Sequence, residues 1–421
     1  MRNFGKQLPF GLMTAAAFLL PAAALSLKSG YSYGIAVMVI AALCYARRWA
    51  GRRPDKGTAL LLLLFVAMAF MWYQLSALET EMARWDRPSK FLLGAICLLF
   101  AVTYPPRPAA FFWGLAVGSI GAGLTGLWQV YVLGLERATG YTNAIQWGNI
   151  ALLMASMLAV QAGVCWQQLR TWQKGGVVLA VALGLEASLL SASRGGWVAL
   201  LPVVLAVLLC VLRYRRELLW KLGAGLALAL VVFGTANVDM LSARFKLAEA
   251  EVSQYFEHSK THSSLGIRLE QYRLAGQLIS EKPLQGWGML GYVDEMHKRV
   301  DAGQYSPSIR EYNFIHNEFI DLWVKLGVLG VLLQAALYVG VFALFWPSAK
   351  RMSRLAGMPE RWRNVLALRL SGAVVPLMYF SFGLTQHFFV HNSGIVFFVF
   401  CVVILWSALR AQEDTCAWSA P

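Results

Sequence analysis

The run EFIDLWVKLGVLGVLLQAALYVGVFALFW, residues 318–346, decides the fold. Its charges, Glu318, Asp321 and Lys325, fall near its start. The remainder is apolar for long enough, at about 1.5 Å per helical residue, to cross a hydrocarbon layer about 30 Å thick. It is therefore read as a membrane-spanning helix. Immediately upstream stand His316 and Asn317, and before them a long polar loop, 237–315. Apolar stretches of comparable length recur near 9–26, 32–46, 58–77, 90–103, 109–133, 147–165, 174–191, 195–213 and 217–236 ahead of the loop. Two more, 363–383 and 392–410, come after it. The expected fold is an all-α polytopic membrane protein of about 12 transmembrane helices, with one long, mainly helical loop between helices 9 and 10. Residues 1–236 form the first nine helices, 237–315 the loop, and 316–421 the last three helices and a tail. The composition agrees, because 58% of the 421 residues are hydrophobic, too many for a soluble domain.

Charge gives the orientation. Lys and Arg stay in cytoplasmic loops during insertion, and three basic clusters lie on one side of the proposed bundle. These are Arg47, Arg48, Arg52, Arg53 and Lys56; Arg213, Arg215, Arg216 and Lys221; and Lys350, Arg351, Arg354, Arg361 and Arg363. Arg2 and Lys6 put the N-terminus on the same side, so both termini are expected in the cytoplasm and the long loop outside. The start of the chain, with Ala22-Ala23-Ala24 after an apolar run, is similar to a signal peptide and is read as a retained first span. The net charge of +15 is absorbed by this topology and by anionic membrane lipids, so no nucleic-acid partner is expected. The six cysteines fall in spans, at their ends or in the tail, which argues against a disulfide framework. No metal-ligand spacing occurs, and no metal or other cofactor is expected.

Polar residues that are unusual for a membrane protein collect on the outward side. The short turn Ser191-Ala192-Ser193-Arg194-Gly195-Gly196-Trp197 offers a planar guanidinium beside serine donors, a combination suited to phosphate. Its glycines are expected to let a ligand approach the backbone. An arginine marking the membrane interface is the plainer reading. A second turn, Arg137 to Asn143, repeats the pattern and also reads as a helix cap. Within the long loop a helix opens at Leu265, with Leu265, Leu269, Tyr272 and Ile279 as its apolar face and Arg268 four residues before Tyr272. Pro283-Leu284-Gln285-Gly286-Trp287-Gly288 ends it, and 241–256 is expected to lie across the membrane surface. His316 stands where the chain returns to the membrane. The helix N-terminus there favours a neutral imidazole, the form a general base needs, although a bound diphosphate works against it; a helix-capping histidine is the alternative. Asp321 and Lys325, four apart, are expected to pair within the span, and Gly327 and Gly330 to permit close helix packing. Glu186 and Arg369 need partners. Gln386-His387 to His391-Asn392 forms the last outward turn.

Ser193-Arg194-Gly195, Arg268, Pro283-x-x-Gly-x-Gly288, and His316-Asn317 with Gly327 after them occur in this order. Together with Arg137 to Asn143 they resemble the O-antigen ligase family, from about residue 130 to residue 335. The resemblance implies a GT-C type glycosyltransferase of the bacterial inner membrane, metal-independent and inverting. Such an enzyme moves a glycan from undecaprenyl diphosphate to a sugar hydroxyl of lipid A-core on the periplasmic face. The residue chemistry suits that reaction, because a glycosyl diphosphate needs its phosphates neutralised and the incoming hydroxyl deprotonated. The expected catalytic residues are His316, as base, with Arg194 and Arg268 on the diphosphate. Arg137, Ser193, Tyr272, Asn317 and His387 are expected to bind substrate. An O-antigen polymerase or a protein O-oligosaccharyltransferase would use the same donor. A transporter or flippase would share the span count, but no repeat symmetry of the kind such proteins show is visible.

Overall fold

A computed structural model describes residues 4–214 and 263–413, with a few isolated positions between 216 and 246. The expected ninth span and the expected surface segment 241–256 fall, apart from those isolated positions, outside the described residues. Among the described residues every regular element is helical, and eight helices are long and apolar enough to cross a membrane. The chain is an all-α, multi-pass membrane protein. Its backbone divides into two compact units, one made of Met1–Val203, Leu333–Leu384 and Phe388–Pro421, the other of Val204–Leu332 and Thr385–His387.

The first unit contains α1 (Phe4–Ala23), α2 (Tyr31–Cys44), α3 (Lys56–Leu75), α4 (Asp86–Thr103), α5 (Pro108–Leu127), α6 (Ala144–Cys165) and α7 (Thr171–Leu190). The helix α8 (Leu200–Tyr214) leaves it. Small residues bring the backbones of α1 and α5 together. A Cβ on Gly118 would lie 2.1 Å from the Pro21 carbonyl oxygen, and one on Gly114 2.4 Å from that of Phe18, the close approach by which helices associate where the solvent is itself apolar.

In the second unit, α9 (Ser264–Glu281) starts at Ser263, whose hydroxyl accepts the Gly266 N–H at 3.0 Å. After it come α10 (Gly288–Asp301), a 3₁₀ turn at Pro307–Glu311, and the first part of α11 (Glu318–Phe345). Leu274, Leu278, Tyr292, Met296, Ile309 and Val324 form its buried core. The buried stripe of α9 differs from the expected one. It runs through Ile267, Gln271, Leu274 and Leu278, while Leu265 and Leu269 are only half-buried. Two polar residues on the buried side, Glu270 and Gln271, obscured that face in the hydropathy pattern. Each is bonded in place, Glu270 to Arg273 at 3.3 Å and Gln271 to the Phe314 carbonyl at 3.1 Å.

The span that decides the fold is itself broken. Gly327 has φ +63° and ψ −159°, which interrupts α11. The interruption admits the turn that ends α9, for Val328 N–H donates to Pro283 O at 3.2 Å and Trp287 N–H to Val324 O at 2.8 Å. The Trp323 indole also donates to Pro283 O, at 2.9 Å. Backbone groups that a continuous helix would have paired are thus satisfied by the turn. Gly327 therefore serves to receive this turn rather than a second helix, and a Cβ there would stand 2.0 Å from Leu284 O. Gly327→Ala is expected to lower the melting temperature of the purified protein clearly. The left-handed conformation alone costs a residue with a side chain about 1–3 kcal/mol, before the clash is counted. An unchanged melt would contradict this explanation of the break.

The first unit closes with α12 (Pro359–Gly383) and α13 (Asn392–Glu413), both almost wholly buried. Arg369, 2% exposed, gains the partner that the sequence left open. It donates to the carbonyls of Leu344 at 3.0 Å and Phe345 at 3.3 Å at the end of α11, and pairs with Glu413.

Candidate active site

His316 lies two residues before α11, almost buried at 9% exposure. Its imidazole is flanked by Tyr312, at 4.7 Å between ring centres, and Phe314, at 5.3 Å. Nδ1 stands 2.9 Å from Gln271 Oε1, which also accepts the His316 backbone N–H at 3.3 Å. The Tyr272 hydroxyl donates to the His316 carbonyl at 3.1 Å. Burial raises the Tyr272 phenol above its ordinary pKa, and the charge of nearby Arg268 pulls it partly back. Helix α9 thus brings Arg268, Gln271 and Tyr272, three and four residues apart on one side, toward the segment that carries His316.

That segment is gripped from below. Asp321 Oδ1 accepts the Ile315 N–H at 2.7 Å, and Lys325 Nζ donates to Asn313 O at 2.8 Å. The two charges pair with each other, Lys325 Nζ lying 2.8 Å from Asp321 Oδ1, as the four-residue spacing predicts. Both are buried, at 1% and 3% exposure. His387 Nε2 completes the cluster 3.2 Å from Asp321 Oδ2, itself only 1% exposed. The side-chain carbonyl of Asn317 accepts the Phe319 and Ile320 N–H groups, each at 3.1 Å, and so caps α11. Asn317 and His387 therefore have tasks within the fold, independent of any ligand.

In the first unit, Ser193 precedes a single helical turn, Arg194–Trp197. Its hydroxyl donates to Asn149 Oδ1 at 3.2 Å, and the Ser191 hydroxyl accepts the Ser193 N–H at the same distance. The space beside Gly196 is taken by α6, because a Cβ there would meet Asn149 Oδ1 at 2.1 Å. This glycine admits a neighbouring helix where the sequence suggested a ligand. The Arg137 to Asn143 turn is fixed by Gln129. Its side-chain oxygen accepts the N–H groups of Thr139 and Gly140, both at 2.9 Å, and its NH₂ donates to Gly140 O at 3.0 Å. Asn143 caps α6 by accepting the Gln146 N–H at 2.9 Å, and Arg137 is exposed. Ala138 N–H donates to Leu190 O at 2.8 Å, which ties this turn to the end of α7, just ahead of Ser193.

Of the residues singled out from sequence, Arg268, Tyr272, His316, Asn317 and His387 gather in one unit, while Arg137, Ser193 and Arg194 belong to the other. Sequence reading passed over Gln271, Asn149 and Gln129, amides inside helical stretches whose partners are remote in the chain. The one signal they carry in the sequence is polarity within an otherwise apolar or amphipathic run.

Residues 179–335 match a family described as O-antigen ligase. An uncharacterized protein of Haemophilus influenzae is 27% identical over 317 residues, covering 74% of this chain and 76% of that protein. The family match takes in Ser193, Arg194, Arg268, Tyr272, His316 and Asn317, and leaves Arg137 and His387 outside.

Proposed function

We propose, from the premise that residues 179–335 place this chain with the O-antigen ligase family, that it transfers O-antigen polysaccharide from undecaprenyl diphosphate to a sugar hydroxyl of lipid A-core at the periplasmic face of the inner membrane. The family match carries a glycosyltransferase-like activity of ligase or polymerase type on lipid-linked polysaccharide; the donor, the acceptor and the residue roles are our reading. The observation that supports it most is the held imidazole of His316, with Arg268 and Tyr272 on the neighbouring helix. In this scheme His316 removes the proton of the acceptor hydroxyl, whose oxygen attacks the anomeric carbon. The bond from that carbon to the diphosphate breaks, and the leaving group takes the electron pair. Arg194 and Arg268 offset the charge that grows on the phosphates, with Arg137 in a lesser part. Ser193 and Tyr272 are assigned to substrate binding. Attack opposite the leaving group inverts the anomeric centre, and no metal ion takes part.

Arg194→Lys is expected to lower the transfer rate at limiting donor about tenfold to a hundredfold, since a point charge replaces a two-pronged donor and a hydrogen bond to a charged group is worth about 1.5–3 kcal/mol. Full activity in that variant would remove Arg194 from the diphosphate. The acceptor is tested by offering lipid A-core, repeat-unit lipid and a pilin-like protein together to the purified enzyme. Glycan is expected on lipid A-core. Extension of the repeat-unit lipid would make the protein a polymerase, and modification of the protein would make it an O-oligosaccharyltransferase.

A further inference from the structure

We infer that Gln271 is a positioning residue that holds His316 in the tautomer with its proton on Nδ1, which makes Nε2 the atom that receives the acceptor's proton. The inference rests on the reading of His316 as the base, and it is carried by the bonds of one buried side chain. Gln271 is 0% exposed. Its Nε2 donates to the Phe314 carbonyl at 3.1 Å, while Oε1 faces the His316 backbone N–H at 3.3 Å and the ring Nδ1 at 2.9 Å.

A carboxamide is ordinarily ambiguous between its two orientations, but here two backbone groups of fixed polarity resolve it. Turned the other way, the NH₂ would oppose the N–H of His316, donor against donor, and Oε1 would oppose the carbonyl of Phe314, acceptor against acceptor. Only the orientation with Oε1 toward His316 satisfies both. A ring nitrogen 2.9 Å from that oxygen carries the hydrogen. A neutral imidazole has a single ring proton, so the lone pair lies on Nε2. The flanking rings of Tyr312 and Phe314 restrain the imidazole from turning over. When Nε2 takes the hydroxyl proton, the new positive charge is shared with Nδ1–H, which is already bonded to a fixed oxygen. No heavy atom has to move.

Nothing in the local sequence pattern points to this role, because Gln271 and His316 are 45 positions apart. The tautomer can be read without any activity. Protein labelled with ¹⁵N-histidine and placed in nanodiscs is examined by NMR at a pH where the ring is neutral, and the His316→Gln variant identifies the His316 signals by their loss. The wild-type ring is expected to show its proton on Nδ1. Gln271→Met, close in size, is expected to shift the proton wholly or partly to Nε2 and to lower kcat on the order of a hundredfold, with the donor KM little changed. Gln271→Glu, which keeps the acceptor oxygen, is expected to retain the Nδ1 proton. A wild-type ring protonated on Nε2 would overturn the inference by itself, even if the variants failed to fold. An unchanged tautomer in Gln271→Met would do the same. Should His316→Ala retain its activity, the base reading would fall while the tautomer result stood.

Discussion

His316→Ala is expected to lower the turnover of glycan transfer by about 10²- to 10⁴-fold, the range that a positioned general base contributes, while the protein remains folded in its membrane. The expectation comes from the way the ring is held. The backbone N–H, the carbonyl and Nδ1 of His316 are each bonded to α9, and two aromatic rings flank the imidazole. Such restraint orients one nitrogen, which a proton transfer requires and a merely structural histidine does not. Because alanine also leaves a gap between Tyr312 and Phe314, His316→Gln serves as a companion that fills more of the space and still lacks a base of suitable strength. Both variants should lose turnover, and both should melt near the wild type. Wild-type transfer by a folded His316→Ala protein would remove the base assignment.

The second large effect is expected at the buried pair below the site. Lys325→Met leaves Asp321, 1% exposed, without its cation and the Asn313 carbonyl without its donor. Removing one partner of a buried ion pair costs about 3–5 kcal/mol, because the remaining charge stays desolvated. A large drop in melting temperature should result. Asp321→Leu combined with Lys325→Met removes both charges and is expected to recover much of that stability, since apolar groups commonly replace a buried pair without loss. It should not recover activity, because the Ile315 N–H and the Asn313 carbonyl would still lack the two bonds that hold the approach to His316. Melting curves and transfer rates on the same preparations separate these outcomes. A fully active double variant would show that the network serves stability alone, and a Lys325→Met protein as stable as the wild type would contradict the energetic reasoning.

The multi-pass character was legible because a lipid-facing helix must be apolar over a fixed length, which hydropathy reports directly; eight helices among the described residues meet that length and apolarity. His316 stood out as a polar group at the mouth of an apolar run, and Arg268 and Tyr272 through their four-residue spacing on a loop helix; the fold brings all three into one unit. The break at Gly327 was not legible, because a glycine in an apolar run reads equally well as a packing surface. Its left-handed backbone depends on the turn at Pro283, which local pattern does not link to it. Gln271, Gln129 and Asn149 escaped for a related reason. A buried amide carries no charge and reads as a surface position in the hydropathy pattern, so its meaning lies wholly in partners that the fold supplies. The stripe of α9 was misplaced by the same residue that orients the histidine. For Asn317 and His387 the sequence suggested substrate binding, whereas the fold gives Asn317 the cap of α11 and makes His387 a member of the Asp321 cluster.

The most direct measurement of the central claim is single-enzyme reconstitution in proteoliposomes, with labelled undecaprenyl diphosphate-linked glycan as donor, lipid A-core as acceptor, and EDTA present throughout. The label is predicted to become covalently attached to lipid A-core while undecaprenyl diphosphate is released, and His316→Ala to block both. Movement of the intact donor across the bilayer with no new glycosidic bond would contradict the claim.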